Sequence, residues 1–166
     1  MSDSTPAISW LCKTFDELNL TQLYALLALR QQVFVVEQQC AYQDADGEDD
    51  KAIHLMGYAG ASLVAYARIF HASGQASAHV HGASANEHRI GRVIVAPQLR
   101  GQQLGREIMR RAMTVALQAS QHTDIVVGAQ RHLVDFYSSL GFSSEGAPYL
   151  EDGIPHQDMR YRAAHS

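Results

Sequence analysis

The sequence predicts an α/β (α+β) fold, a mixed central sheet flanked by helices. Three observations predict it. Ile90, Val93, Ile94 and Val95 form an apolar, β-branched run that reads as a buried strand, and Pro97 ends it because proline cannot donate to a sheet ladder. Beyond it, apolar residues recur at Leu104, Ile108, Ala112, Val115 and Ala119, the spacing of one helix face. Across the whole chain, short apolar runs and helical periods follow the order β-α-β-β-β-α-β-α-β-β.

Residues 1–6 read as a loose tail, and residues 8–15 as the first strand. Thr21 is placed to cap a helix carrying Leu23, Tyr24, Leu26, Leu27, Arg30, Val33 and Phe34. That helix ends near residues 37–40. An acidic loop follows with Asp44, Asp46, Glu48, Asp49 and Asp50. Its start resembles a calcium loop, but Gly47 stands at the fourth place and Leu55 at the twelfth cannot ligate, so a solvated acidic loop is expected. Residues 53–59 and 63–70 read as strands joined at Gly60-Ala61-Ser62 as a hairpin. The Ser/Ala/Gly/His-rich stretch 71–88 reads as a mobile hairpin loop or short edge strand. His79 and His81 within it have no carboxylate or cysteine partner spaced to complete a metal site, and no metal is expected.

After the central strand and helix, residues 124–128 read as a short buried strand and 131–140 as a short helix, with Gly141 as its left-handed C-cap. Phe142 resumes extended structure, 148–155 reads as loop, and 157–162 as a last strand. No repeat or linker divides the chain, so residues 1–166 are expected to form a single domain.

Composition excludes several classes. A net charge of −4 and a pI near 6.1 give no support for nucleic-acid binding by the whole chain. Cys12 and Cys40 are too few and too far apart for a disulfide framework or a zinc site. No signal-peptide pattern and no run of about 18 apolar residues occurs, so a cytoplasmic protein without a membrane partner is expected.

The chemistry concentrates between strand and helix, at Arg100-Gly101-Gln102-Gln103-Leu104-Gly105-Arg106. A loop opening directly into a helix aims several backbone N–H groups at one point. The helix dipole adds partial positive charge there, which suits phosphate. Gly101 and Gly105 allow close backbone approach, and Arg100 and Arg106 add charge.

The string V-x-x-x-x-R-G-x-x-x-G, running from a buried strand into an amphipathic helix, resembles the acyl-CoA-binding motif of the GNAT superfamily of N-acetyltransferases. The family core reads Gln/Arg-x-x-Gly-x-Gly/Ala, and Arg100, Gln103 and Gly105 take those places. The first family glycine is therefore Gln103, for which a non-glycine backbone conformation is expected. Residues 128–142 (G-A-Q-R-H-L-V-D-F-Y-S-S-L-G-F) match the family pattern ending F/L-Y-x-x-x-G-F. Residues 29–46 (L-R-Q-Q-V-F-V-V-E-Q-Q-C-A-Y-Q-D-A-D), with E-D-G-I-P-H at 151–156, look like the ElaA-type branch.

The resemblance implies acetyl-CoA as cosubstrate. Val93, Ile94 and Val95 would line the pantetheine arm through their main chain, as an added strand pairs with a sheet edge. The loop from Arg100 through Gly101, Gln102, Gln103, Leu104 and Gly105 to Arg106 would hold the pyrophosphate. Gln130 stands where the family usually has a cofactor-contacting asparagine, and Tyr137 at the general-acid position. Ile125 stands where many relatives carry a glutamate base and cannot take a proton. That leaves Glu37, His54, Glu151 and His156 as base candidates. Arg68 is expected to pair with Glu37 or with a substrate carboxylate, the structural ion pair being the default.

The implied reaction is direct attack by an amine on the acetyl thioester in a ternary complex, the acceptor being a small-molecule or peptide amine. The acidic residues at 44–50 and 151–152 would favour a cationic acceptor. Homodimerisation stays open. Two rival readings remain. The L-R-x-x-V-F-V-x-E string is also similar to acyl-homoserine-lactone synthases. A non-catalytic acyl-CoA-binding module would bind the cosubstrate without releasing its thiol.

Overall fold

Alternating side chains in residues 8–14 build the first strand, β1 (Ile8–Thr14), which pairs antiparallel with β2 (Ile53–Ala59) from Ile8↔Ala59 to Thr14↔Ile53. The computed structural model describes residues 6–72 and 86–164. The reading of residues 1–6 as a tail falls almost wholly outside them, as does the His79–His81 reading. The remaining strands are β3 (Ser62–Phe70), β4 (His88–Val95), β5 (Ile125–Gln130), β6 (Ser143–Glu151) and β7 (Ile154–Tyr161). Their order in the sheet is β1-β2-β3-β4-β5-β7-β6. β4 and β5 run parallel, while β5–β7 and β6–β7 are antiparallel, so the sheet is mixed as expected. The helices are α1 (Leu20–Arg30), α2 (Leu104–Ala119) and α3 (Val134–Ser138). Two compact units share the chain, one made of residues up to 68 with 92–109, the other of 69–91 with residues from 110 onward.

In the first unit, Asn19 rather than Thr21 caps α1. Its Oδ1 accepts from Gln22 N at 2.8 Å, and Gln22 Oε1 accepts from Asn19 N at 3.1 Å, a reciprocal capping box. α1 then continues into a π-helical segment, Gln31–Glu37. Leu26 and Val33 from this run are buried with Met56, Tyr66 and Ile94, and Leu23, Leu27 and Phe34 pack around them. Leu26 is fully buried, which removes a side chain worth about 1.5–3 kcal/mol from water.

Arg30 lies on the same face and is also fully buried. A buried guanidinium is tolerated only when its charge and donors are met. Here Nε donates to Asp44 Oδ2 at 2.6 Å, Nη1 to Asp49 Oδ1 at 2.6 Å and Nη2 to the Asp44 carbonyl at 2.8 Å. Arg68 Nη2 and Nη1 reach Asp46 Oδ2 at 2.7 Å and Asp49 Oδ1 at 2.9 Å. The acidic loop is thus not a solvated charge run. It folds down over two buried arginines, and Arg68 pairs with Asp46 and Asp49 instead of Glu37.

In the second unit, His88 is buried and begins β4, although the sequence placed it in the loop. Its Nδ1 accepts from Ala72 N at 3.1 Å, and Nε2 donates to the Ser120 carbonyl at 3.2 Å. The segment predicted as a 131–140 helix starts as a 3-10 turn (Arg131–Leu133) before α3. Gly141 has φ +96°, and the Tyr161 ring carbons lie 3.3 Å from where a Cβ would stand, so both conformation and space call for glycine. Residues 148–155 are not a loop. They are the paired ends of β6 and β7 around the turn Asp152-Gly153, with a register irregularity between Glu145 and Tyr149. Pro148 falls in that irregularity on the outermost strand, the one place in a sheet where a missing N–H is harmless.

Candidate acyl-CoA site

β4 carries an unusual residue at its centre. Arg92 has φ +50°, a left-handed conformation in mid-strand, which costs a non-glycine residue about 1–3 kcal/mol. The parallel register with β5 covers His88↔Ile125 and Arg89↔Val126, both ahead of Arg92. Val93, Ile94 and Val95, the residues expected along a pantetheine arm, follow it directly. The main chain then turns through Pro97–Leu99, a 3-10 turn tied back by Ala96 N donating to the Val64 carbonyl at 2.8 Å.

The strand-to-helix loop, where phosphate binding is expected, comes next. Gly101 has φ +79°, and a Cβ there would meet nothing within 4 Å, so its glycine serves conformation and not space. Gln103 has φ +63°. This overturns the expectation of a non-glycine conformation. Gln103 adopts a left-handed geometry that a glycine would adopt freely. The first i to i−4 bond of α2 runs from Glu107 N to the Gln103 carbonyl at 3.1 Å. The N–H groups ahead of it therefore point out of the helix end, with Leu104, Gly105 and Arg106 in the first turn. Along α2, Leu104, Ile108, Ala112 and Ala116 are buried; Ala116, not Ala119, completes the face.

Arg100 is folded back over the strand. Nε donates to the Val95 carbonyl at 3.1 Å, Nη2 to Glu37 Oε2 at 3.0 Å, and Nη1 to Glu37 Oε1. The hydrogen bonds from Arg100 hold the Glu37 carboxyl below its ordinary range. Glu37 is thus a partly exposed anion held by Arg100 of the strand-to-helix loop, poorly suited to take a proton.

His54 is fully buried, with both ring nitrogens engaged. Nε2 faces the Asp49 carbonyl at 2.9 Å, which only accepts, so Nε2 carries the proton and Nδ1 accepts from Tyr66 Oη at 2.8 Å. Burial pushes its pKa down. It is a structural residue of the arginine–aspartate core and presents no lone pair to a substrate.

The second unit holds the other candidates. Tyr137 is 6% exposed, edge-on to Phe136 and Phe142 at 5.2 and 5.9 Å between ring centroids. Burial pushes its hydroxyl up to about 12, so it stays protonated at neutral pH. Gln130 ends β5, in register with His156 of β7. His156 Nδ1 donates to the Ile154 carbonyl at 2.8 Å, which leaves the Nε2 lone pair facing Glu151 Oε2 at 3.7 Å. The Tyr149 ring stacks on His156 at 5.8 Å, and Tyr149 Oη donates to Asp158 Oδ1 at 2.8 Å. Gln130, Glu151 and His156 therefore meet around one β-hairpin.

The sequence reading missed Arg92 and the arginine core. One signal was available. Arg30 sits in an apolar stripe with Leu26 and Val33, and a buried arginine requires acids, which the loop at 44–49 supplies.

Among the described residues no helix is long and apolar enough to cross a membrane. The family model described as an acetyltransferase (GNAT) domain matches residues 28–163. Protein ElaA of Escherichia coli K12 is 42% identical over 154 residues, covering 92% of this chain and 95% of that one. The crystal structure of E. coli ElaA superposes with a TM-score of 0.82 at 40% identity, over 94% of this chain and 100% of the other. An acyl-CoA N-acyltransferase from Pseudomonas aeruginosa gives 0.83 at 39% identity, over 93% and 99%. The AHL synthase LasI gives 0.73 at 16% identity, over 95% and 91%, a likeness of fold alone. With its fold, its strand-to-helix loop and these relatives, the chain belongs to the GNAT acetyltransferase family, in the ElaA-type branch.

Proposed function

We propose that the protein is an acetyl-CoA-dependent N-acetyltransferase, a single catalytic domain that moves the acetyl group to an amine acceptor. The observation that carries this reading is the loop conformation. Gly101 at φ +79° and Gln103 at φ +63° turn the chain into α2 so that its first N–H groups form an anion-binding end. Val93–Val95 lie in the same unit and supply main chain for the arm.

In the reaction the amine nitrogen attacks the thioester carbonyl, the C–N bond forms and the C–S bond breaks. An alkylammonium of pKa about 10.4 must first lose a proton. His156 is the base in this proposal, because its tautomer leaves Nε2 able to accept and Glu151 stabilises the imidazolium that results. Glu37 and His54 are engaged elsewhere. Tyr137 is the acid. Its hydroxyl at about 12 is a weaker acid than a free thiol of about 8.5, so it acts chiefly by hydrogen bonding the sulfur as charge develops there.

Most of the acidic loop at 44–50 is taken up by arginines. Asp44, Asp46 and Asp49 are matched by Arg30, Arg68 and Arg92. Half-exposed Glu151, beside His156, is the carboxylate that supports an amine acceptor in this reading. A thiol-release screen with acetyl-CoA over amines, peptides and polyamines tests the proposal. Turnover with an amine and an N-acetyl product by mass spectrometry are expected. Turnover confined to alcohols, thiols or lactone formation would overturn it.

A further inference from the structure

The left-handed Arg92 has an identifiable anchor. Its Nε donates to Asp44 Oδ1 at 2.7 Å, and Nη2 lies 3.4 Å from the Asp44 carbonyl and 3.5 Å from Asp46 Oδ2. The guanidinium sits over the Phe34 ring at 5.9 Å and the Tyr42 ring at 5.8 Å. Asp44 is itself immobilised, its side chain 2% exposed and held by Arg30 Nε and by Tyr42 Oη at 3.0 Å. A residue that prefers φ near −120° is thus fixed at +50° by a chain of contacts running back to α1.

We propose that Arg92 is a positioning residue for acyl-CoA: by its bonds to Asp44 it holds β4 in the left-handed kink that presents the main chain of Val93–Val95 to the pantetheine arm. The inference rests on the acyl-CoA reading. It gives the acidic loop a task the sequence did not reveal, as the strut for a strained strand. It also separates Arg92 from the phosphate loop, since the arm depends on the kink and the pyrophosphate on residues 100–106.

The test compares Arg92→Ala with Arg92→Gly by calorimetric titration of CoA and of ADP. ADP carries the adenosine and pyrophosphate but lacks the arm. Alanine loses the anchor and still resists a positive φ, whereas glycine adopts +50° without an anchor. Arg92→Ala should weaken CoA at least tenfold, about 1.4 kcal/mol, and Arg92→Gly should recover most of that loss. ADP affinity should move less than threefold in both. If alanine does not fold, Arg92→Lys replaces it, keeping the charge beside Asp44 but losing the forked contact. A glycine variant no better than alanine, or equal losses for CoA and ADP, would overturn the proposal and point instead to direct contact or general unfolding. Variants that bind CoA like wild type would also overturn it. Wild-type protein that binds neither CoA nor ADP would overturn the acyl-CoA reading itself.

Discussion

Gly101 and Gln103 offer two opposite perturbations of one loop. Gly101 stands at φ +79° with open space where a Cβ would be, so a substitution there meets a backbone cost and no collision. For alanine the left-handed region costs about 1–2 kcal/mol, while the stiffer unfolded chain returns about 0.4–1 kcal/mol. Gly101→Ala should therefore lose between nothing and about 1.6 kcal/mol, a fall in Tm of up to about 6 °C for a chain of this size. Valine is β-branched and worse suited to positive φ, so Gly101→Val should shift the loop and weaken acetyl-CoA at least tenfold. Gln103 at +63° already bears the cost that glycine would not. Gln103→Gly reverses both terms and should be neutral to about 1.5 kcal/mol more stable, with acetyl-CoA affinity within threefold because the backbone N–H is retained. Thermal unfolding by calorimetry and titration with acetyl-CoA read both quantities on the same preparations. If Gly101→Val matched wild type in both, or Gln103→Gly lost more than about 1 kcal/mol, the left-handed account of the loop would be refuted.

Tyr137→Phe keeps the ring against Phe136 and Phe142, so Tm and acetyl-CoA affinity should hold while turnover falls about 10²-fold, the worth of one positioned acid; normal turnover in the folded variant removes Tyr137 from the mechanism. Slow product release would hide part of that loss, so single-turnover rates are the quantity to compare. His156→Gln should lower turnover strongly for alkylamines and weakly for hydroxylamine, which is already unprotonated at neutral pH; equal losses for both acceptors would refute a base role. Stability should fall with acid in two stages. His54 and His88 are depressed by burial, so each stays neutral in the fold while the unfolded chain takes a proton, and stability is lost as pH falls below about 6.5. Burial alone would raise Asp46 and Asp49, but hydrogen bonds from Arg68 to Asp46, and from Arg30 and Arg68 to Asp49, outweigh it and hold both low; their contribution is present above about pH 4 and is lost below it. Urea midpoints that stay flat from pH 8 to pH 5 would contradict the first stage.

The amino-acid sequence by itself determined the order of elements, because period-2 and period-3.6 apolar patterns are local properties that each segment carries alone. It also located the strand-to-helix loop proposed to hold phosphate, since a strand, two glycines and a helix face are adjacent in the chain. What it did not determine depends on residues distant in sequence. The acidic loop reads as solvated until Arg30, Arg68 and Arg92, up to 48 positions away, are folded against it. Gln103 reads as a departure from the family until its backbone is seen at +63°. Residues 148–155 read as loop because a proline and a glycine mark turns locally, whereas pairing with β7 is what makes most of them strand. His54 and His156 look alike as candidate bases. Both are buried with a carbonyl facing one ring nitrogen; they differ at the other nitrogen, which in His54 accepts from Tyr66 Oη and in His156 faces Glu151 at 3.7 Å.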